Sequence, residues 1–141
     1  MDFVYDDGGR AAAGYKGTAG DCVCRSIAIV SGKPYAEVYR ELNELAASER
    51  PQCGERSSSR TGVFKPLRNE YLKRLGFVWT PTMKIGSGCK VHLKTGELPA
   101  GRIIVSVSRH LTAVVDGVIH DTFDPSRGGK RCVYGYWRKV A

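Results

Sequence analysis

HLTAVVDGVIHDTFD, residues 110–124, holds two β-type runs on either side of Asp116-Gly117. An Asp-Gly pair between apolar runs selects a type I′ turn, the strongest short-range hairpin signal. With these two as the turn residues, Val115 faces Val118, Thr112 faces Asp121 and His110 faces Phe123. Side chains alternate along a strand, so His110, Thr112, Asp121 and Phe123 share one face of the hairpin. His110 and Asp121 are then diagonal neighbours, at a separation their side chains can bridge. Asp124 falls opposite Arg109 on the other face, as does His120. A single bulge would exchange the faces of Asp121 and Asp124, so the histidine has two candidate carboxylates.

Around the hairpin the sequence supplies further strands. RIIVSVS (102–108) is a β-type run, CVYGYWRK (132–139) a last strand, and FVWTP (77–81) has strand composition. Trp79, Trp137, Tyr134 and Tyr136 are expected in the sheet core. Upstream the period changes to that of helices. From Cys22, residues Val23, Ile27 and Val30 recur at helical spacing, and Gly32 supplies a stop. Asp21 or Thr18 is placed to cap the start. A second helix follows Pro34, with Val38, Leu42 and Leu45 as its buried stripe and Glu37 and Glu41 facing water. A third spans Pro66 to Leu75 and ends at Gly76. Residues 1–20, rich in glycine and alanine, read as an extended lead-in. Residues 49–62 form a surface loop, and 84–101 a loop-rich stretch with one helical turn near Leu93. Helices first and an antiparallel sheet after them make an α+β layout. The expectation is one domain over 1–141, helical over about 20–76 and sheet over about 77–139.

The composition suits this arrangement. A chain of 141 residues, 42% hydrophobic and 26% charged, fits one modest core. No apolar stretch approaches a membrane span. The opening MDFVYDDGGR lacks a signal-peptide core, so the expected location is cytoplasmic and no membrane partner is expected. In that reducing setting the five cysteines are expected as thiols rather than bridges. Net charge is +8, with basic residues clustered in 49–60, 65–76 and 127–139. Such a charge favours acidic partners, nucleic acid among them. No zinc-finger, RNP-type or helix-turn-helix pattern accompanies it, so nucleic acid is not the favoured partner.

The stretch GDCVCRSIAIVSG (20–32) puts a cysteine at a helix start. There the helix dipole and unpaired N–H groups favour thiolate, as would a nearby imidazolium. The same N–H groups can donate to an oxyanion. A histidine oriented by a carboxylate on the hairpin would serve as its base. Cys22, His110 and Asp121, with Asp124 as the alternative carboxylate, are therefore the candidate catalytic residues. Cys24 points to another helix face and is expected in the core, while Cys53, Cys89 and Cys132 show no partner pattern. Cys22 and Cys24 with Cys89 and His92 could supply four zinc ligands. However, Cys-X-Cys is not the usual zinc spacing and suits a helix poorly. No metal or other cofactor is expected. His92 and His120 read as surface or hairpin residues.

A helix-leading cysteine, then helices, then an antiparallel sheet with histidine and a later aspartate resembles the papain-like cysteine peptidases. The compact peptidase domain that clips leader peptides from bacteriocin precursors is the most similar form. The matching residues are Asp21-Cys22 in GDCVC, His110 in SRHLTAVV, and Asp121 or Asp124 in HDTFDPS. The chain also resembles a group of uncharacterised bacterial and phage proteins through DGGRAAAGYKG, GDCVCRSIAIVSGKPYAEVY and HLTAVVDGVIHDTFDPS. The papain-like resemblance implies a thiol peptidase, amidase or isopeptidase with a Cys-His-Asp triad and a protein or peptide substrate. That family places a glutamine about six residues before the cysteine. Lys16 stands there in this chain, so the Cys22 backbone with Lys16 or Thr18 is the expected oxyanion site; nothing local brings Gln52 near. The alternative is a non-catalytic binding module on the same fold, recognising an acidic protein or nucleic acid through its basic surface.

Overall fold

The computed structural model describes residues 1–49, 54–84 and 86–139. The hairpin forms in the expected register: Val115 pairs with Val118, Val114 with Ile119 and Ala113 with His120. Asp116 and Gly117 take φ of 48° and 80°, as a type I′ turn requires at both central positions. In chain order the elements are β1 (Asp2–Tyr5), α1 (Cys22–Ser31), α2 (Tyr35–Ala47), α3 (Lys65–Arg74), β2 (Phe77–Pro81), β3 (Arg102–Val107), β4 (His110–Val115), β5 (Val118–Asp121) and β6 (Val133–Lys139). Three helices thus pack on one six-stranded sheet of order β1-β5-β4-β3-β6-β2, an α+β architecture.

The sheet is mixed, which corrects the expectation of an antiparallel one. β1 lies parallel to β5, with Asp2 opposite Val118 and Tyr5 opposite Asp121. All four β1 residues are exposed, so no alternation marked this strand within the lead-in. Its anchors are tertiary: the Asp6 amide donates to the Asp121 carbonyl at 2.9 Å, and Asp6 Oδ2 lies 3.1 Å from His120 Nδ1. The other strand pairs are antiparallel, with an irregularity between Ser106 and Val107 where β3 meets β6.

Alternation along the strands builds two apolar layers. Ile104, Leu111, Ala113 and Trp137 pack with Ile27, Val38, Leu42 and Leu72 of the helices. Ile103, Val105, Val114, Ile119 and Val133 face the other way and pack with Leu93 and, at the margin, Val91 and Leu98. The stretch carrying Val91, Leu93 and Leu98 is therefore a cover on the sheet rather than a free loop. Leu93 is buried by this packing, and the expected helical turn around it is absent. A bridge between His92 and Cys132 and the Leu93 amide bonded to the Arg131 carbonyl hold that segment instead.

Three smaller expectations change. Cys89 and Cys132, expected as separate thiols, form a disulfide with Cα atoms 5.8 Å apart, and it ties the cover to the start of β6. The zinc alternative that used Cys89 fails for the same reason. Tyr134 is exposed rather than core, while Trp137 is buried against the half-buried Trp79 at 5.2 Å between ring centroids. Glu37 and Glu41 do not simply face water: both pair with Lys33, and Glu41 accepts from the Tyr71 hydroxyl. The expectation for Cys53, like the remark on Gln52, lies outside the described residues.

Gly135 shows how tightly β2 and β6 meet. A Cβ there would overlap the Trp79 ring and stand 2.7 Å from the Thr80 carbonyl oxygen. Gly135→Ala should destabilise the fold by about 1–3 kcal/mol through overpacking. Urea unfolding followed by tryptophan fluorescence measures this, and an unchanged midpoint would contradict the packing.

Candidate active site

The site forms where the first turn of α1 meets the His110 end of β4. Ser26 on α1 ties the two elements, donating its hydroxyl to the Leu111 carbonyl at 3.0 Å. Cys22 is the first residue of α1 and is half-buried. Asp21 precedes it but does not cap the helix through its side chain, as the sequence suggested, and neither does Thr18. The Asp21 carboxylate is buried instead, accepting from Arg25 Nη1 at 2.6 Å and from the Tyr35 hydroxyl at 2.8 Å. The N–H groups that open the helix are thus left without a side-chain acceptor, beside the sulfur.

His110 Nε2 lies 2.7 Å from Asp121 Oδ2, the diagonal contact expected from the hairpin register. With Nε2 on the carboxylate, Nδ1 is the ring nitrogen left to face Cys22. Asp121 is 1% exposed and fully engaged. Thr112 donates its hydroxyl to Oδ2 at 2.7 Å, while Arg25 Nη2 at 2.9 Å and the Thr122 amide at 2.7 Å donate to Oδ1. Phe123 packs against the imidazole with ring centroids 5.0 Å apart. Asp124, the alternative carboxylate, is exposed and accepts from the Ser126 amide, an Asx-type turn. The hairpin keeps its register from Val115–Val118 to Ala113–His120, and Asp121 rather than Asp124 meets the imidazole.

The three side chains tune one another. Burial pushes the Cys22 thiol up, but hydrogen bonding and charge from His110, then the Leu111 backbone and Arg25, bring it below its ordinary value. Burial pulls the His110 ring down, but Asp121 and Cys22 outweigh it and raise the pKa from 6.5 to about 9. Burial likewise opposes ionisation of Asp121, and His110 and Thr112 reverse that, leaving its carboxyl below the usual range. Cys24, two residues along α1, moves the opposite way: burial raises it to about 12. One helix therefore carries an activated thiol and an inert one.

Cys22 and His110 open into a cleft of about 480 Å³, walled also by Arg68, Arg109, Phe123 and Tyr134. The other two expected oxyanion donors stand outside it. Lys16 is exposed and lines a neighbouring cavity of about 280 Å³ with Arg10, Asp21 and Arg25. Its carbonyl accepts from Arg10, and that of exposed Thr18 accepts from Arg60; neither residue lines the cleft, which begins at Ala19. Of the expected set, the Cys22 backbone alone lies in the cleft. The sequence reading overlooked Arg25, which is 5% exposed and joins Asp21 to Asp121. Its i,i+4 spacing from Asp21 was a signal within reach, although its bond to Asp121 spans 96 positions. His92 and His120 lie elsewhere, paired with Glu97 and Asp6.

The sequence matches no known protein family, curated protein or solved structure. The site therefore rests on its own geometry.

Removing Arg25 strands two buried carboxylates. Arg25→Met should cost about 3–5 kcal/mol in a denaturant titration, the range for a broken buried pair. Asp121→Asn should move the His110 titration, followed by NMR, down from about 9 toward 6.5. The sign follows from losing the anion that favours imidazolium. An unmoved titration would remove Asp121 from the site.

Proposed function

We propose that the protein is a cysteine-nucleophile hydrolase of papain-like type, acting on a peptide, isopeptide or other amide bond. One observation carries the reading: Cys22 and His110 line a single cleft, and the buried Asp121 behind the ring holds His110 Nε2, so three separate elements meet at one site. A buried histidine fixed by a carboxylate beside a thiol at a helix start is the arrangement that thioester chemistry requires.

The steps follow from the groups present. The Cys22 thiolate attacks the amide carbon, and the carbonyl electron pair moves onto oxygen as the C–S bond forms. The backbone N–H groups at the start of α1 receive that oxyanion. His110 passes its proton to the leaving amine, the C–N bond breaks, and a thioester remains on Cys22. A water that gives its proton to His110 then attacks the thioester, releasing the acid and restoring thiolate and imidazolium. An amine in place of that water would give transfer instead of hydrolysis. Asp121 keeps Nε2–H directed away from the sulfur and stabilises the imidazolium, and no step calls for a cofactor. The binding-module alternative draws on the +8 charge alone and leaves the paired thiol and imidazole without a purpose.

Iodoacetamide at pH 6 should alkylate Cys22 far faster than Cys24, and peptide mapping by mass spectrometry distinguishes the two. Equal labelling would end the catalytic reading. Because the Cys22 pKa is lowered, its reactive thiolate persists below the ordinary thiol value of 9.0 and is lost as pH falls through the shifted one. Because the His110 pKa is raised, its proton is held well above 6.5 and lost as pH rises through about 9. Turnover should therefore decline on both sides of a neutral-to-alkaline plateau, and Cys22→Ala should abolish it.

A further inference from the structure

The Cys22 cleft is lined by four cationic side chains, Arg25, Lys65, Arg68 and Arg109, and by one carboxylate, Asp21. Arg25 is already neutralised by Asp21 and Asp121. The other three are not: among the described residues, no carboxylate lies within salt-bridge range of Lys65, Arg68 or Arg109. They come from two structural features. Lys65 and Arg68 stand on the first turn of α3, and Arg109 sits at the β3–β4 turn with a left-handed φ of 56°.

Arg68 is the most informative of these. It is half-buried, and burial disfavours its charge, yet its protein hydrogen bond is a local one from Nε to Asn69 Oδ1 at 3.2 Å. A guanidinium that has given up water without gaining a carboxylate is left with bidentate donor capacity unused. Arg109 extends the same charge outward. With Thr61, Gly62 and Val63 it walls both this cleft and an adjoining cavity, whose further charged lining is Arg56 and Glu55. A cleft with a second cavity beside it has room for an extended chain, and the unpaired cations on its walls suit a chain carrying carboxylates.

We infer that the cleft selects polypeptide segments with Asp or Glu side chains beside the scissile amide, held by Arg68, Arg109 and Lys65. This rests on Cys22 being the nucleophile, and a pair of alkylating probes separates the two claims. Iodoacetate carries a carboxylate and iodoacetamide is its neutral counterpart. With either, the thiolate displaces iodide, which leaves with the C–I electron pair as the C–S bond forms. The ratio of the two rates at Cys22, relative to the same ratio for free glutathione, reads the preference of the cleft for an anion.

The expected ratio is about ten-fold or more in favour of iodoacetate at ~0.02 M salt, collapsing toward unity by ~0.5 M. Arg68→Gln and Arg109→Gln should each lower it several-fold, and the triple change with Lys65→Gln should remove most of it. Arg40→Gln, on the exposed face of α2 and paired with Glu44, should leave it unchanged. A preference that survives the triple change belongs to the His110 imidazolium and the helix start, and overturns the inference. Brisk iodoacetamide labelling with no anion preference overturns it too, while leaving the nucleophile intact. If neither reagent labels Cys22 faster than Cys24, the nucleophile itself fails and the substrate class falls with it.

Discussion

The buried carboxylate of Asp121 is the constraint on which the rest of the site depends. It receives hydrogen bonds from Arg25 on α1, from His110 and Thr112 on β4, and from the amide of Thr122 next to it. A carboxylate out of water is tolerable only when its lone pairs are filled and its charge is matched. Filling them fixes the position of α1 against the sheet, and with it the position of the Cys22 sulfur relative to the imidazole. The acid that orients the histidine is thus also the acid that holds the helix.

Arg25 extends this constraint through the molecule. Its two nitrogens join Asp121 to Asp21, Asp21 accepts from the Tyr35 hydroxyl, and Tyr35 accepts from Arg10 Nη1 at 3.1 Å. The chain of contacts links the lead-in segment, α1, α2 and β5 by polar bonds in a largely buried setting. Such a network discriminates between arrangements, because any shift leaves a buried charge unpaired. It also explains the close packing at Gly8, whose φ is +73° and where a Cβ would stand 3.1 Å from the Arg25 carbonyl. The lead-in wraps the base of the site rather than trailing from it.

The electrostatics divide between depth and surface. Below the cleft, cations and carboxylates are matched, so their net field at the sulfur comes mainly from His110. Along the walls, Lys65, Arg68 and Arg109 have no carboxylate within salt-bridge range among the described residues. Part of the basic composition therefore lines the cleft, and the rest is spread over the surface. The two cysteines of α1 show how local this tuning is: the imidazole lowers one thiol, and burial in the core raises the other.

The sequence alone determined the hairpin and its two-residue turn, and narrowed the partner of His110 to Asp121 or Asp124; the folded chain selects Asp121, a choice that one bulge would have reversed. It also determined the three helices, to within a residue at each start, because their apolar spacing and glycine stops are local signals. Tertiary structure decided what no local pattern encodes. β1 has no buried face to announce it and exists through its bonds to β5. Leu93 is buried because a sheet lies beneath it, and Cys89 meets Cys132 because the cover segment crosses β6. Arg25 finds Asp121, and Lys16 and Thr18 miss the cleft, because distant backbone is tied down by Arg10 and Arg60. Contacts across many tens of residues depend on how layers pack, and periodicity carries no record of that.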